Sequence, residues 1–323
     1  MKLCLRFFAA LLSINFIVLN SSASFVDAEI KEPIKKAEQV VCISMPKCGT
    51  YLLKKCLLLM QGLVLTPDAL IDQKLIYPSP AAWAVYDSLN IYDPPNHFRG
   101  RLDPLSNELF FDFFKQLIEK KHASGIWSSH SPYTRAVAEY LEQRSSTNFF
   151  VIRDPRAMLV SMAFMVSKGW LAGQEADPVL IMNDFIDGRQ KNFIRWGVTV
   201  HEAYPLIWEY GIVGFYKMYL SWMQAKNFYT VRFENLVGSQ GGGSDSLQKA
   251  EIMTIASHIG YALTDEKLTH VAKNLFGGSV TFRDGKIDGW KKYFSADMKA
   301  AFKQVPGANQ LLIDLGYEST TDW

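Results

Sequence analysis

Cysteine is scarce, with four in 323 residues, at positions 4, 42, 48 and 56. The last three crowd around one short segment, which is no disulfide framework and points to reduced thiols in or near a core. Metal-ligand spacing is missing too. There is no Cys-x-x-Cys, and no histidine pair at ligand spacing occurs among His97, His122, His130, His201, His258 and His270, so no metal is expected. Neither sign of charge dominates: 34 Lys and Arg stand against 32 Asp and Glu, a net of +2, and no basic stripe runs along the chain. A nucleic-acid partner is therefore not expected. No internal repeat is visible, and beyond the first twenty residues no apolar run is long enough to cross a bilayer.

What is present begins with a leader pattern. Lys2 and Arg6 precede an apolar stretch through Leu19, followed by the small residues Ser22, Ala23 and Ser24. This reads as a signal peptide or signal anchor over 1–24, and it directs the protein to the secretory pathway, secreted or membrane-anchored through that segment alone. Residues 25–39 connect it to a single domain over 40–323. With 49% hydrophobic residues that domain can bury one large core.

The most informative stretch is Met45-Pro46-Lys47-Cys48-Gly49-Thr50-Tyr51, set between the apolar run Val40 to Ser44 and a leucine-rich segment with Leu52, Leu53, Cys56, Leu57, Leu59 and Met60. Strand, tight loop and helix follow one another. Such a junction gathers unpaired backbone N–H groups, a flexible glycine and a lysine, which is how proteins hold phosphate. The common phosphate loop places its lysine after the glycines; here Lys47 comes first. A second junction has the apolar run Asn148 to Ile152 leading into Arg153-Asp154-Pro155-Arg156 and a helical pattern over Ala157 to Val166. Taken alone, Arg153 and Asp154 would make a surface ion pair. A third stretch, Phe282 to Phe294, holds Arg283, Gly285, Lys286, Gly289 and Trp290, and reads as a turn-rich loop anchored by its tryptophan.

Together these segments resemble those of the sulfotransferases that use 3′-phosphoadenosine-5′-phosphosulfate (PAPS). The first resembles the family's Pro-Lys-Ser-Gly-Thr-Thr-Trp loop for the 5′-phosphosulfate, the second its 3′-phosphate segment with Arg153 and Ser161, and the third its Arg-Lys-Gly-x-x-Gly-x-Trp-Lys lid with Arg283 and Gly285. Ser128-Ser129-His130-Ser131-Pro132 resembles the Lys-Thr-His-x-Pro segment of the base, and Phe233 stands where relatives have a tyrosine near the nucleotide. The resemblance implies Lys47 and His130 as the catalytic pair. It implies Lys47, Cys48, Gly49, Thr50, Tyr51, Arg153, Ser161, Phe233, Arg283 and Gly285 as cofactor contacts, PAPS as sulfate donor, and a small-molecule, carbohydrate or tyrosine-type acceptor. Cys48, Leu52, Ser128 and Asp284 depart from the family's serine, tryptophan and two lysines.

Strands alternating with helices imply an α/β fold with a parallel sheet flanked by helices, P-loop-like, with ligands beyond the carboxyl ends of the strands. Lys47, His130, Arg153 and Phe233 all fall at such ends, Phe233 within an expected strand over Phe228 to Leu236. Further readings are a helix over Asn107 to His122, and two aromatic irregular stretches, Tyr77 to Pro104 and Ser167 to Gly214, as acceptor surfaces. A flexible loop is expected over Gly238 to Ser246, with Asp245 and Gln248 as a capping box. A small-molecule kinase and a non-catalytic nucleotide-binding protein on the same scaffold remain the alternatives.

Overall fold

The structure, a computed structural model, describes residues 39–60, 75–76, 126–130, 132–144, 146–167, 177–187, 205–278 and 282–323. The leader, the Asn107 to His122 helix and the aromatic stretch after Tyr77 lie outside them. No described helix is long and apolar enough to cross a membrane.

Five parallel strands form one sheet in the order β2-β3-β1-β4-β5: β1 Gln39–Ser44, β2 Leu75–Ile76, β3 Ile126–Ser129, β4 Ser146–Ile152 and β5 Phe228–Arg232. The two central strands are apolar on both faces because both faces are covered. From β1, Val41 and Ile43 enter one core and Val40 and Cys42 the other; from β4, Phe150 and Ile152 oppose Phe149 and Val151 in the same way. The period of two along each strand thus divides one apolar run between two cores.

On one face pack α1 (Thr50–Met60), α7 (Asp245–His258) and α8 (Asp265–Asn274), through Leu53, Leu57, Ile252, Ile255 and Val271. The other core gathers α2 (Arg135–Gln143), α3 (Pro155–Ser167), α4 (Pro178–Asp187), α5 (Pro205–Leu220), α9 (Ala296–Gln304) and α10 (Ala308–Asp314). A single helical turn, α6 (Phe233–Leu236), follows β5. Cys42, Cys48 and Cys56 are all buried free thiols.

Four local expectations need correction. The strand expected to reach Leu236 stops at Arg232, because its neighbour β4 ends at the paired Ile152 and offers no ladder beyond it. The segment after Ser167 is mostly helical where it is described: α4 and α5 occupy it, α5 broken at the non-helical Gly211 (φ 64°, ψ −178°), and Phe185 is wholly buried in the core rather than on an acceptor surface. The cap of α7 is Ser244, whose hydroxyl accepts from the Leu247 N–H; Asp245 instead accepts from the Ser239 N–H, and Gln248 donates to the Leu236 carbonyl. Those bonds make the glycine-serine loop a packed 3-10 turn over Ser239–Gly241, whose Gly241 carbonyl accepts from Ile287 N–H at 2.9 Å.

Candidate active site

The loop after β1 turns sharply before entering α1. Cys48 N–H bonds the Met45 carbonyl at 3.2 Å, and the N–H groups of Leu52 and Leu53 return to the Gly49 carbonyl. Lys47 sits at φ 66°, a left-handed conformation that costs a non-glycine residue on the order of 1 kcal/mol and that clusters at functional sites. Gly49, at φ 110°, has a different reason to be glycine: a Cβ there would meet the Phe233 ring at 2.8 Å. The backbone therefore approaches that ring as only glycine allows. The first turn of α1 contributes N–H groups with no intrahelical acceptor, beside the Lys47 side chain.

The ends of β1, β3 and β4 open into one cleft, lined by Lys47, Gly49, Thr50, Tyr51, His130, Arg153, Ser161, Phe233, Arg283 and Gly285, along with Leu52, Lys55, Leu275, Phe276 and Asp284. Of the residues anticipated from sequence, Cys48 alone does not line it. Its side chain points into the core, 3.8 Å from the Tyr216 hydroxyl, and burial pushes the thiol up to about 12, so the loop's backbone and not its sulfur faces a ligand. Lys47 and Arg153, far apart in sequence, meet directly. Arg153 donates to the Lys47 carbonyl at 3.2 Å and to the Lys286 carbonyl at 3.1 Å, and its guanidinium lies 4.0 Å from the Phe233 ring centre. One side chain thus joins the loop after β1, the end of β4 and the C-terminal strap. The strap's Arg283 rests on Phe164 at 4.3 Å and donates to the Tyr293 hydroxyl.

Asp154 does not pair with Arg153. It is buried against Arg156, bonded at 2.8 Å, while its N–H donates to Glu234. The Glu234 carboxyl is raised above its usual range by burial, against the pull of backbone bonds and Arg153.

The electrostatics are those of an anion site. Four cations, Lys47, Lys55, Arg153 and Arg283, line the cleft with one carboxylate, Asp284. Burial, with Arg153 and Arg283 adding repulsion, lowers the Lys47 ammonium to about 8. The buried Nε atoms of Arg153 and Arg283 have no hydrogen-bond partner. Buried orphan donors on two guanidinium groups in one cationic cleft fit a ligand with phosphate oxygens. Lys55 is already engaged, donating to the Gly277 carbonyl at 2.9 Å. The apolar part of the cleft, Leu52, Leu275, Phe276 and Phe282, suits a flat ring. Gly285, at φ 64°, lets the strap run tight against Phe282 and Phe276, at 2.6 and 3.0 Å from where a Cβ would stand.

His130 is braced from two sides. Its Nδ1 lies 2.8 Å from the Ser44 carbonyl oxygen, and its own carbonyl accepts from Tyr219 at 2.9 Å. Burial lowers the imidazole to about 4, the Ser44 bond opposing and Lys47 and Lys54 reinforcing the shift, so the ring is neutral at physiological pH. Tyr216, one turn before Tyr219 on α5, donates to the Arg153 carbonyl at 2.7 Å. Two tyrosines on one helix face hold two strand ends in place.

Ser44, Tyr216, Tyr219, Leu275 and Phe276 were missed in the sequence. Only the Gly277-Gly278 pair after α8 offered a signal, a turn beside a phenylalanine.

No protein-family model matches the chain, and no curated protein matches it by sequence. Among solved structures, mouse sulfotransferase SULT7A1 complexed with PAP is similar at 14% identity with a TM-score of 0.52, covering 87% of this chain and 88% of that one. Retinol dehydratase in complex with androsterone and inactive cofactor PAP overlaps at 14% identity and a TM-score of 0.46, over 84% and 82%. The parallel sheet, its flanking helices and the likeness to SULT7A1 together identify the chain's architecture as the α/β fold of the sulfotransferases.

Proposed function

We propose that this protein is a PAPS-dependent sulfotransferase acting on a hydroxyl or amine of a small molecule, carbohydrate or tyrosine-type acceptor. The observation that carries the reading is the convergence of Lys47, His130, Arg153, Ser161 and Arg283 on one cleft, with two buried guanidinium nitrogens lacking partners. The neighbour SULT7A1, solved with PAP, supports the same class of ligand. PAPS supplies a sulfuryl group on a 5′-phosphate leaving group, together with a 3′-phosphate handle.

In this reading Lys47 and the N–H groups of the α1 start neutralise the 5′-phosphate as it gains charge. Arg153, Ser161 and Arg283 hold the 3′-phosphate; two guanidinium forks and a hydroxyl fix its place, and hence the line of attack. The purine lies against Leu52 and Phe276. His130 takes the acceptor's proton at Nε2, since Nδ1 is committed to Ser44. An imidazole at about 4 is a weak base, but its depression includes the Lys47 charge, and an anion beside Lys47 offsets that charge. Ligand binding thus raises the basicity of His130 where it is needed. The leader pattern of residues 1–24 supports a secretory-pathway setting for this chemistry.

The test is transfer of labelled sulfate from PAPS to a panel of phenols, alcohols, sugars and tyrosine peptides. Turnover is expected on at least one acceptor and should vanish in Lys47→Ala with His130→Ala. Undiminished transfer by that double variant, or turnover that needs magnesium–ATP in place of PAPS, would sink the reading.

A further inference from the structure

Where the sheet ends between β4 and β5, the two chains stay in register without a ladder. The last paired residues are Ile152 and Arg232. One residue on, the Arg153 guanidinium lies 4.0 Å from the centre of the Phe233 ring, and two residues on, the Asp154 N–H donates to Glu234 Oε1 at 2.9 Å. A side-chain oxygen thus holds the N–H that a strand carbonyl would hold in a longer ladder. The contact of Arg153 with Phe233 is enclosed between a rung of the sheet on one side and the Glu234 bond on the other.

This second bond matters because Arg153 is otherwise held only by backbone that belongs to other segments. Its terminal nitrogens donate to the carbonyls of Lys47 and Lys286, on the loop after β1 and on the C-terminal strap. Burial disfavours the guanidinium charge, and of the nearby groups Glu234 opposes that shift most. Its carboxylate is anchored in turn, with Oε2 3.2 Å from the Tyr317 hydroxyl. Asp154 is buried, so an N–H left without Glu234 would lose its acceptor where water does not readily replace it. Phe233 has no slack either, since it packs where a Cβ on Gly49 would stand.

We propose that Glu234 is a positioning residue for the 3′-phosphate: by holding the Asp154 N–H it keeps the Arg153 guanidinium seated on the Phe233 ring and so presents it to the anion. The proposal rests on the reading of Arg153 as a 3′-phosphate contact. Glu234 acts through reach, as an acceptor that locks two strand ends together; its charge is secondary. Looseness between those ends would pass directly to the guanidinium.

The experiment uses two ligands that differ only in the group Arg153 is read to hold, adenosine 3′,5′-bisphosphate and adenosine 5′-phosphate. Their affinities are measured by calorimetry on the full chain and on Glu234→Asp, Glu234→Gln, Arg153→Ala and the double variant of Glu234→Asp with Arg153→Ala. The readout is the preference for the bisphosphate, which a general loss of stability would not move because both ligands would weaken together. Glu234→Asp keeps the charge but is too short for the Asp154 N–H, and should lower the preference about tenfold, the worth of one such bond. Glu234→Gln keeps the reach without the charge, and should hold the preference within about threefold. Arg153→Ala should abolish it, with no further loss in the double variant. An undiminished preference in Glu234→Asp, or a loss in Glu234→Gln as large as in Glu234→Asp, would overturn the clamp while Arg153 kept its ligand. A preference that survives Arg153→Ala would instead remove the 3′-phosphate from Arg153, and the clamp's purpose with it.

Discussion

Arg153 and Arg156 stand three residues apart on either side of Pro155, and burial does not tell them apart, at 8% and 2% exposed. Their partners do. Arg156 donates from Nε and Nη2 to Asp154, from Nη1 to Glu318, and lies against the rings of Trp290 at 4.1 Å and Trp323 at 4.5 Å. Its charge is fully used in tying the start of α3 to the C-terminal part of the chain. Arg153 donates only to two backbone carbonyls, rests on Phe233, and leaves a buried Nε without a partner. One guanidinium is a structural knot and the other is left with capacity for an anion, though the local sequence treats them alike. The lesson is that an arginine available to a ligand is recognised by what fails to satisfy it, not by exposure.

The comparison is broken or sharpened most strongly by removing each arginine. Arg156→Ala strands two carboxylates and should cost about 3–5 kcal/mol of stability, read from the denaturant midpoint. Arg153→Ala gives up two bonds to backbone carbonyls and a ring contact and should cost less, about 1–2 kcal/mol, but weaken adenosine 3′,5′-bisphosphate at least about thirtyfold in calorimetry, as for truncation of a charge pair in an interface. Equal stability losses in the two variants would erase the distinction.

A smaller effect, on pH, asks whether Lys47 shares the ligand-binding role of Arg153. The free protein loses the Lys47 cation as pH rises through about 8, while a bound anion holds the proton to higher pH. Affinity should therefore be level below about 8 and fall about tenfold per pH unit above it, until the raised value in the complex is reached. Lys47→Met should abolish that slope; a slope that persists would assign the titration elsewhere. The sign for folding is opposite. Because the folded value is depressed, burial of charged Lys47 opposes folding below about 8 and the penalty lifts between about 8 and 10.5.

The smallest effect belongs to the Arg156 side. Trp323→Phe keeps a ring on the guanidinium but loses the 3.0 Å bond from Trp323 Nε1 to Asn309, and should cost about 1 kcal/mol with no change in cleft affinity. A change in affinity would show that the knot and the cleft are one unit.

Much of the framework was legible because it rests on local rules. The apolar runs at Val40 to Ser44 and Asn148 to Ile152 are parallel strands, and the junctions after them hold Lys47 and Arg153. Reading failed where a neighbour decides. The strand at Phe233 ends for want of a partner, the glycine-serine loop is held by Ile287 and Gln248, and the cap of α7 shifts by one residue because Asp245 is drawn to Ser239.

Residue order by itself determined that a lysine, a glycine and a helix start follow the first strand, and that an arginine follows the fourth, because strand and helix periodicities and turn chemistry act over a few residues. Only the tertiary structure decided that Arg153 reaches the Lys47 carbonyl, that Asp154 turns to Arg156, and that Ser44 stands between His130 and Thr50. Those pairings depend on the order of strands in the sheet and on which buried donors find acceptors. Both are settled by packing among segments distant in the chain.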